Sequence, residues 1–399
     1  MKKAIIKISF LLLVSLFISC KKSTSKMNYN LLVDTNHSGE SNLHKSIDGI
    51  IYLSWIEYEN DTTDILMISK LANNKWSTPK VVSKGSDWFT NWADFPSIST
   101  DTYGKTIFAH WLQKSSGETY DYNIKIAHSV DGGNTWSKPI IPHSDGVHAE
   151  HGFVSMVPTP NGTTLLTWLD GRNTKSKKNN SMTLRSAEID KNGTLTNEVE
   201  LDDRVCDCCK TGITYTDKGP IVVYRDRSMD EIRDIGIVNR VNNKWSVPRT
   251  LYNDNWKIVG CPVNGPAIDS KSNGVVVAWF TNANNKNKVF VSMSEDFGNT
   301  FFKPMKIDDG NPLGRVDVKM VSETEAIVLW MENDDDKSEI KIVKIDIDKK
   351  KFNSKRIAKN SSSRSSGFPV MVTNKDQLII AWTNALDSLS KINTTVIEI

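Results

Sequence analysis

The sequence carries very little net charge of either sign. Its 50 Lys and Arg residues almost balance its 47 Asp and Glu residues, which leaves a formal charge of +3 at pH 7. It also lacks a basic block of the size that nucleic-acid-binding chains use to pair with phosphates. These two absences argue against nucleic acid as a partner.

The apolar run at the start of the chain is interrupted by Lys7 and ends at Ser19, just before Cys20. A membrane-spanning helix would need about 20 apolar residues in a row. Two lysines, an apolar stretch and a small residue before cysteine resemble a bacterial lipoprotein signal peptide, which implies that Cys20 becomes the lipidated first residue. We therefore expect a signal peptide over 1–19, a lipidated cysteine and linker over 20–27, and a lipoprotein held in the bacterial cell envelope, at the outer membrane, by its lipid alone.

Beyond this segment the chain repeats one unit. The stretch 95–139 contains three alternating apolar runs, FPSIS, KTIFAHW and NIKIAHS, and the start of a shorter fourth run, SKPIIP, which completes the copy. Alternation of this kind predicts β-strands. An aromatic residue closes the second run of each copy at successive intervals of 56, 57, 56, 55, 51 and 52 residues. These residues are Trp55, Trp111, Trp168, Tyr224, Trp279, Trp330 and Trp382.

Seven copies of a four-stranded unit predict an all-β fold, a seven-bladed β-propeller formed by one domain over 28–399. A six-bladed ring is the alternative count. Two unrelated β-sandwiches would show frequent turns but no long period. The last copy, 367–399, supplies only three strands, so the strand-like segment 28–34 is expected to complete it and close the ring, because an unpaired edge would otherwise be exposed.

Two turns carry a family resemblance. The segment 129–136, SVDGGNTW, and the segment 294–301, SEDFGNTF, match the S-x-D-x-G-x-T-W turn of the Asp-box, or bacterial neuraminidase repeat. The chain therefore resembles sialidase-like propellers, which implies a carbohydrate ligand. It departs from sialidases in having seven repeats where they have six blades, and in lacking their early Arg-Ile-Pro element.

Propeller topology places the connections between blades on one face, together with the loops between second and third strands. Charged and polar residues concentrate there, and by analogy this face carries the functional site. Arginines would bind anionic groups, and paired acids would act as general acid and base if the protein is a glycoside hydrolase of sialidase-like type. The predicted catalytic residues are Glu150, Asp170, Asp226, Arg233, Arg315 and Asp317. The predicted ligand-binding residues are His148, Arg172, Arg225, Arg364, Trp92 and Asn264.

These predictions compete with a plainer one, a solvated, charge-rich loop surface with aromatic residues that pack against neighbouring blades. Because no catalytic constellation is specific, binding of an anionic glycan by a monomer is favoured over hydrolysis. A third alternative is a propeller that serves only as a scaffold for docking proteins.

The chain has only five cysteines. Four of them, Cys206, Cys208, Cys209 and Cys261, fall at equivalent places in adjacent repeats. Outside the cytoplasm an even set favours disulfides, and a bond from Cys261 to one of the other three would be unstrained. The alternative is an axial copper or zinc centre with His148 or His151 as a further ligand, although the spacing CxCC matches no common zinc motif.

Overall fold

The computed structural model describes residues 29–176, 180–335, 337–348 and 353–399. The predicted signal peptide, Cys20 and the linker lie outside the described residues. Within these ranges the chain forms seven antiparallel sheets arranged as the blades of a ring, and it contains no α-helix. The predicted seven-bladed propeller is thus confirmed, and the six-bladed alternative is wrong.

The first four blades follow one another along the chain, each running from an innermost to an outermost strand. Blade 1 contains β2 (Ser38–Lys45), β3 (Ile51–Asn60), β4 (Thr63–Ala72), β5 (Lys75–Trp76) and β6 (Lys80–Gly85). Blade 2 contains β7 (Ser97–Thr100), β8 (Ile107–Lys114) and β9 (Tyr122–Ser129). Blade 3 contains β10 (His151–Pro158), β11 (Thr164–Asp170), β12 (Met182–Ile189) and β13 (Leu195–Val205). Blade 4 contains β14 (Gly212–Thr216), β15 (Gly219–Arg225), β16 (Ile235–Val241), β17 (Lys244–Trp245) and β18 (Arg249–Tyr252).

The remaining three blades complete the ring. Blade 5 contains β19 (Ala267–Lys271), β20 (Gly274–Thr281), β21 (Lys288–Ser294) and β22 (Met305–Lys306). Blade 6 contains β23 (Pro312–Met320), β24 (Glu325–Asp334), β25 (Lys337–Asp346) and β26 (Lys355–Ser361). Blade 7 contains β27 (Val370–Asn374), β28 (Gln377–Asn384), β29 (Lys391–Glu398) and β1 (Tyr29–Leu31). Short 3₁₀ turns occur at Arg172–Lys175, Ala283–Asn285 and Arg364–Ser366.

The N-terminal strand closes the ring as expected. Tyr29 pairs with Val396 and Leu31 pairs with Thr394, so β1 becomes the outer strand of blade 7. In blade 2 the expected fourth strand is reduced to a bridge between Ile126 and Ile140.

The core lies between blades rather than inside any one of them. The recurring aromatic residue of each second strand packs against the preceding blade: Trp168 of blade 3 contacts the Phe108 and Ile124 side of blade 2, and Trp330 of blade 6 contacts the Val276 side of blade 5. Complete burial of each large side chain contributes about 2 to 3 kcal/mol. Each repeat therefore needs its neighbours, and this is why the aromatic residue recurs with the period of the blade.

The turns at 129–136 and 294–301 have a structural role on one face of the ring. Asp131 accepts hydrogen bonds from the backbone N–H groups of Asn134 and Thr135, at 3.0 and 2.9 Å, and from the Thr135 hydroxyl at 2.7 Å. Asp296 makes the same bonds to Thr300. We call this side the turn face. Because strands alternate in direction, the connections between blades open on the opposite side, the loop face.

The innermost strands of all seven blades surround an axial cavity of about 240 Å³. Its polar lining includes Lys210, Asp317 and Lys319, with His44 from blade 1. Along the described ranges, no helix has the length and apolar character needed to cross a bilayer.

Candidate functional site

The first group on the loop face is an acid cluster formed by Asp94, Tyr122 and Glu150. The Tyr122 hydroxyl lies 2.8 Å from Glu150 Oε1 and 3.1 Å from Asp94 Oδ2. Burial is the main cause that raises the pKa of Asp94 to about 7 and that of Glu150 to about 8. Both carboxyl groups therefore hold a proton easily near neutral pH. Glu150 is partly exposed, whereas Asp94 and Tyr122 are buried.

The backbone of β10 fixes this cluster. Asp94 Oδ1 accepts the Phe153 N–H at 2.7 Å, at a register shift where Phe153 has a φ of 55°. Gly152 stands beside it, and a Cβ atom at this position would collide with the Asp94 carboxyl group. The cluster thus depends on a β-bulge with glycine at the point of closest approach.

The second group is a thiol cluster, defined by Cys206, Cys208, Cys209 and Cys261. The Sγ atoms of Cys206 and Cys209 are 3.5 Å apart, and those of Cys206, Cys208 and Cys209 lie within 4.8 Å of one another. Cys261, from the connection between blades 4 and 5, interacts with the Cys208 thiol and is exposed. The four thiols therefore lie close together, but none of them is among the residues that line the axial cavity.

A buried arginine faces the thiol cluster. Arg233 Nη1 lies 3.1 Å from Cys206 Sγ, and Nη2 lies 2.9 Å from Glu231 Oε2. Burial opposes ionisation of Cys206, but hydrogen bonds from the other thiols and the Arg233 charge outweigh burial and lower its pKa well below the usual value. Arg233 is therefore a partner of the thiols.

The third group is a histidine cluster on the same face, formed by His143, Asp145 and His151. Asp145 Oδ2 lies 3.0 Å from His143 Nδ1 and 3.3 Å from His151 Nε2. The two rings stack at 3.7 Å with an angle of 4° between their planes. One nitrogen of each ring faces the same carboxylate, and the ligand atoms of the three residues lie within 4.8 Å of one another. His151 thus belongs to this cluster and not to the thiols, and His148 is exposed beside Asp121.

Three of the arginines predicted as site residues, the ligand-binding Arg172 and Arg225 and the catalytic Arg315, are engaged with protein groups. Arg225 donates to the backbone carbonyls of Asn264 and Phe280, and Arg315 donates to the Ser366 hydroxyl and to backbone carbonyls of the same loop. The guanidinium of Arg172 pairs with Asp170 and Glu198. These bonds hold loops together, a role that differs from the predicted one. Arg364, in contrast, is exposed.

The other predicted catalytic acids are dispersed. Asp170 is completely buried and accepts hydrogen bonds from Trp168 Nε1 and Arg172. Asp317 lines the axial cavity, 3.5 Å from Lys319 Nζ. Asp226, whose pKa burial raises to about 6, follows β15 and forms a bridge with Val205, the residue before Cys206. The structure does not bring these three acids together.

Aromatic rings border the mouth of the axial cavity. Trp92 stacks on Phe368 at 5.8 Å, and Phe95 lies at 5.8 Å from the same ring. Lys210 Nζ stands 5.2 Å above Phe368, and Arg315 Cζ stands 4.7 Å above Trp92. Asn264, another predicted ligand residue, accepts the Arg315 N–H at 2.7 Å. We call Trp92, Phe95 and Phe368 the aromatic rim.

Sequence reasoning missed several of these residues. Asp94 and Phe95 lie in the segment before β7, the first strand of blade 2. Glu150 and Cys206 were predicted as site residues in the equivalent segments before β10 and β14, so comparison of the repeats could have identified Asp94 and Phe95 as well. Lys210 lies in the equivalent segment before β14 and could have been identified in the same way. Tyr122 opens a third strand, where an aromatic residue is ordinary, and no pattern distinguishes it.

No family model matches the chain, and no curated protein matches it. Solved structures do match in fold. A protein of unknown function from Dyadobacter fermentans is 13% identical over 94% of this chain and 98% of its own, with a TM-score of 0.56. An ulvan lyase, bound to a unit of glucuronic acid and 3-sulfated rhamnose, is 11% identical over 91% of this chain and 94% of its own, also at 0.56. The NanB sialidase from Streptococcus pneumoniae is 9% identical over 88% and 84%, at 0.48. At such identities the likeness is one of fold.

Proposed function

We propose that the loop face binds an anionic polysaccharide. The observation that carries this proposal is that the connections on the loop face hold both Glu150, a partly exposed carboxyl group whose pKa burial raises to about 8, and the ammonium group of Lys210. Glu150 senses the charge of Asp207, and Asp207 and Lys210 belong to the same connection between blades 3 and 4. The Lys210 ammonium group lines the axial cavity, where it donates a hydrogen bond to the Val316 carbonyl at 3.1 Å and where burial lowers its pKa.

Each group has a matching partner on a uronic acid or a sulfated sugar. An ammonium group pairs with a carboxylate or sulfate, and a protonated carboxyl donates a hydrogen bond to a sugar oxygen. The partly exposed rings of Trp92 and Phe95 offer apolar surface for the C–H faces of a sugar ring. Exposed Arg364, on the loop before blade 7, adds positive charge.

The acid cluster favours binding over cleavage. Glycoside hydrolysis uses two carboxyl groups that both reach the substrate. Asp94 is only 2% exposed, so a sugar can contact Glu150 but not Asp94. The cluster therefore has one accessible acid, Glu150, which the buried residues Tyr122 and Asp94 hold in position.

The fold supports a carbohydrate ligand independently of these residues. The ulvan lyase, which shares the fold over nearly its whole length, is bound to a sugar unit that is both carboxylated and sulfated. The sialidase-like resemblance of the turns points to the same class of ligand. We also propose, from the N-terminal segment, that Cys20 anchors the protein to the cell envelope by a lipid.

Binding to defined polysaccharides tests the proposal. The full-length protein in detergent is titrated calorimetrically with ulvan, which carries uronate and sulfate, and with uncharged dextran. We expect ulvan to bind and dextran not to bind. Lys210→Gln should weaken binding about 5- to 10-fold, which corresponds to loss of one charge-assisted contact.

Three further variants test the assignment. Glu150→Gln keeps a neutral hydrogen-bond donor and should bind almost as the parent does, whereas Glu150→Ala should bind about tenfold more weakly. Lys105→Gln removes an exposed lysine from the turn face and should leave affinity unchanged. Equal affinity for dextran and ulvan, or equal effects of Lys210→Gln and Lys105→Gln, would contradict the proposal.

A further inference from the structure

We propose that the thiol cluster is a binding site for a soft metal ion, and that monovalent copper is the ion it takes. The inference is independent of glycan binding, because it uses different side chains. Its ligands are the sulfurs of Cys206, Cys208 and Cys209, with Cys261 at the solvent edge.

The spacing of the sulfurs already approaches that of a metal site. In thiolate centres the metal–sulfur distance is about 2.3 Å, so the sulfurs of a trigonal set stand about 4 Å apart. Cys206 Sγ and Cys209 Sγ are 3.5 Å apart, and the three mutual distances stay within 4.8 Å. Shifts of less than about 1 Å would bring all three to one ion.

The backbone fixes the three cysteines in this arrangement. They lie between Val205, the last residue of β13, and Gly212, the first of β14, with a turn at 207–208. The turn directs Cys206 and Cys209 to the same side. The Cys206 N–H donates to the Arg225 carbonyl at 3.0 Å, which ties the connection to the end of β15. The site is therefore preorganised by two strands of neighbouring blades.

The site also contains a positive charge that can offset the charge of the thiolates. Each thiol loses its proton as its sulfur–metal bond forms, so three thiolates around a monovalent ion carry a net negative charge. The Arg233 guanidinium, with a side chain only 2% exposed, lies 3.1 Å from Cys206 Sγ and offers a positive charge at the site. A structural cysteine packed in an apolar core would have no need of such a partner.

The number of close thiols favours copper over zinc. Structural zinc sites are almost always four-coordinate and tetrahedral, whereas monovalent copper accepts a trigonal set of soft thiolates. Cys261 interacts with Cys208 but does not belong to the tight group of three, and it is exposed while Cys206 and Cys209 are buried. This arrangement suits an ion that is exchanged through Cys261 rather than one that is permanently enclosed.

Anaerobic titration of the reduced, full-length protein tests the inference. Monovalent copper is added in competition with a chromogenic copper chelator, and thiols are counted with a maleimide before and after loading. We expect one tightly bound copper per chain and protection of the cluster thiols from the maleimide. Cys206→Ser and Cys209→Ser should each weaken copper binding by at least about 100-fold. Cys20→Ser, which replaces the proposed lipidated cysteine outside the cluster, should not change copper affinity.

Because the buried variants could unfold, Cys261→Ser provides an independent arm at an exposed position. It should keep its melting temperature and its affinity for ulvan, while releasing copper to the chelator about tenfold faster. Lack of stoichiometric copper binding would overturn the inference, as would two disulfides in protein isolated from the cell envelope without reductant. Tighter binding of zinc than of copper would overturn the choice of metal. None of these results bears on glycan binding, which the ulvan titration measures separately.

Discussion

The Tyr122 hydroxyl lies 2.8 Å from Oε1 of Glu150, and this contact joins blade 2 to the connection that enters blade 3. Tyr122 is completely buried, whereas Glu150 reaches the solvent. The tyrosine therefore holds the exposed acid in place without touching a ligand itself. Its second neighbour, Asp94, comes from the connection that enters blade 2, so the contact links residues from three separate segments.

Removing this hydroxyl should therefore destabilise the domain and loosen Glu150. Tyr122→Phe leaves the packing of the ring intact but leaves Asp94 and Glu150 without their shared partner. We expect a loss of about 1 to 3 kcal/mol in the free energy of unfolding. Chemical denaturation measures it, with Tyr120→Phe as the matched control because Tyr120 is 61% exposed. Equal stability of the two variants would show that the hydroxyl contributes nothing.

Asp94 should make the stability of the protein depend on pH. Burial raises its pKa to about 7 in the folded state, whereas in the unfolded chain it is about 4. Between these values the folded state holds a proton that the unfolded chain has lost, so the contribution of Asp94 is greatest below about pH 4. It falls as the pH rises to about 7, with a slope of up to about 1.4 kcal/mol per pH unit.

Asp94→Asn cannot titrate, so the stability of wild type relative to this variant should fall between pH 5 and pH 7 and then level off. Denaturant unfolding at a series of pH values gives this difference directly. Asp376→Asn, at an exposed turn, serves as the control and should show a difference that does not change with pH. A constant difference for Asp94→Asn as well would mean that its carboxyl group is ionised throughout the range.

The closing strand should stabilise the whole ring rather than its last blade alone. Deletion of 28–34 removes the partner of β29 and the buried side chain of Leu31. We expect a loss of at least about 3 kcal/mol and a lower melting temperature for the entire domain. Leu32→Ala, at a side chain that is 91% exposed, is the control. A truncated protein that melts with the wild type would refute closure by this strand.

Lipid anchoring depends on one residue outside the described structure. If Cys20 carries the lipid, Cys20→Ser should move the protein from the membrane fraction to the soluble fraction and abolish labelling with a radioactive fatty acid. Fractionation of cells that express either form checks this. Continued membrane association of unlabelled Cys20→Ser protein would contradict the lipoprotein assignment.

The sequence predicted the propeller because its blades are copies of one repeated unit. A residue such as Trp168 must recur once in every blade, since each blade buries it against its neighbour, and so the period reports the architecture. The N-terminal strand followed from the same count. The grouping of the thiols could be predicted for the same reason, because Cys206 and Cys261 occupy equivalent positions in adjacent repeats.

The chemistry of the site is less accessible to such reasoning. Arg225 and Arg315 have the composition of ligand-binding residues, but their guanidinium groups bond to backbone carbonyls whose positions depend on loop conformation. Pairing of Tyr122 with Glu150 depends on side-chain direction across two blades, and no periodic signal encodes it. Sequence alone identifies the face on which the predicted residues lie, while coordinates show which of their side chains bond to other groups of the protein.

Hydrogen exchange of the full-length protein with and without ulvan tests the central proposal most directly, because it shows where the ligand binds. The proposal predicts added protection in 145–155 and 205–212, the segments that carry Glu150 and Lys210, and none in the turns at 129–136 and 294–301. Protection confined to those turns, or none on the loop face at saturating ulvan, would contradict it.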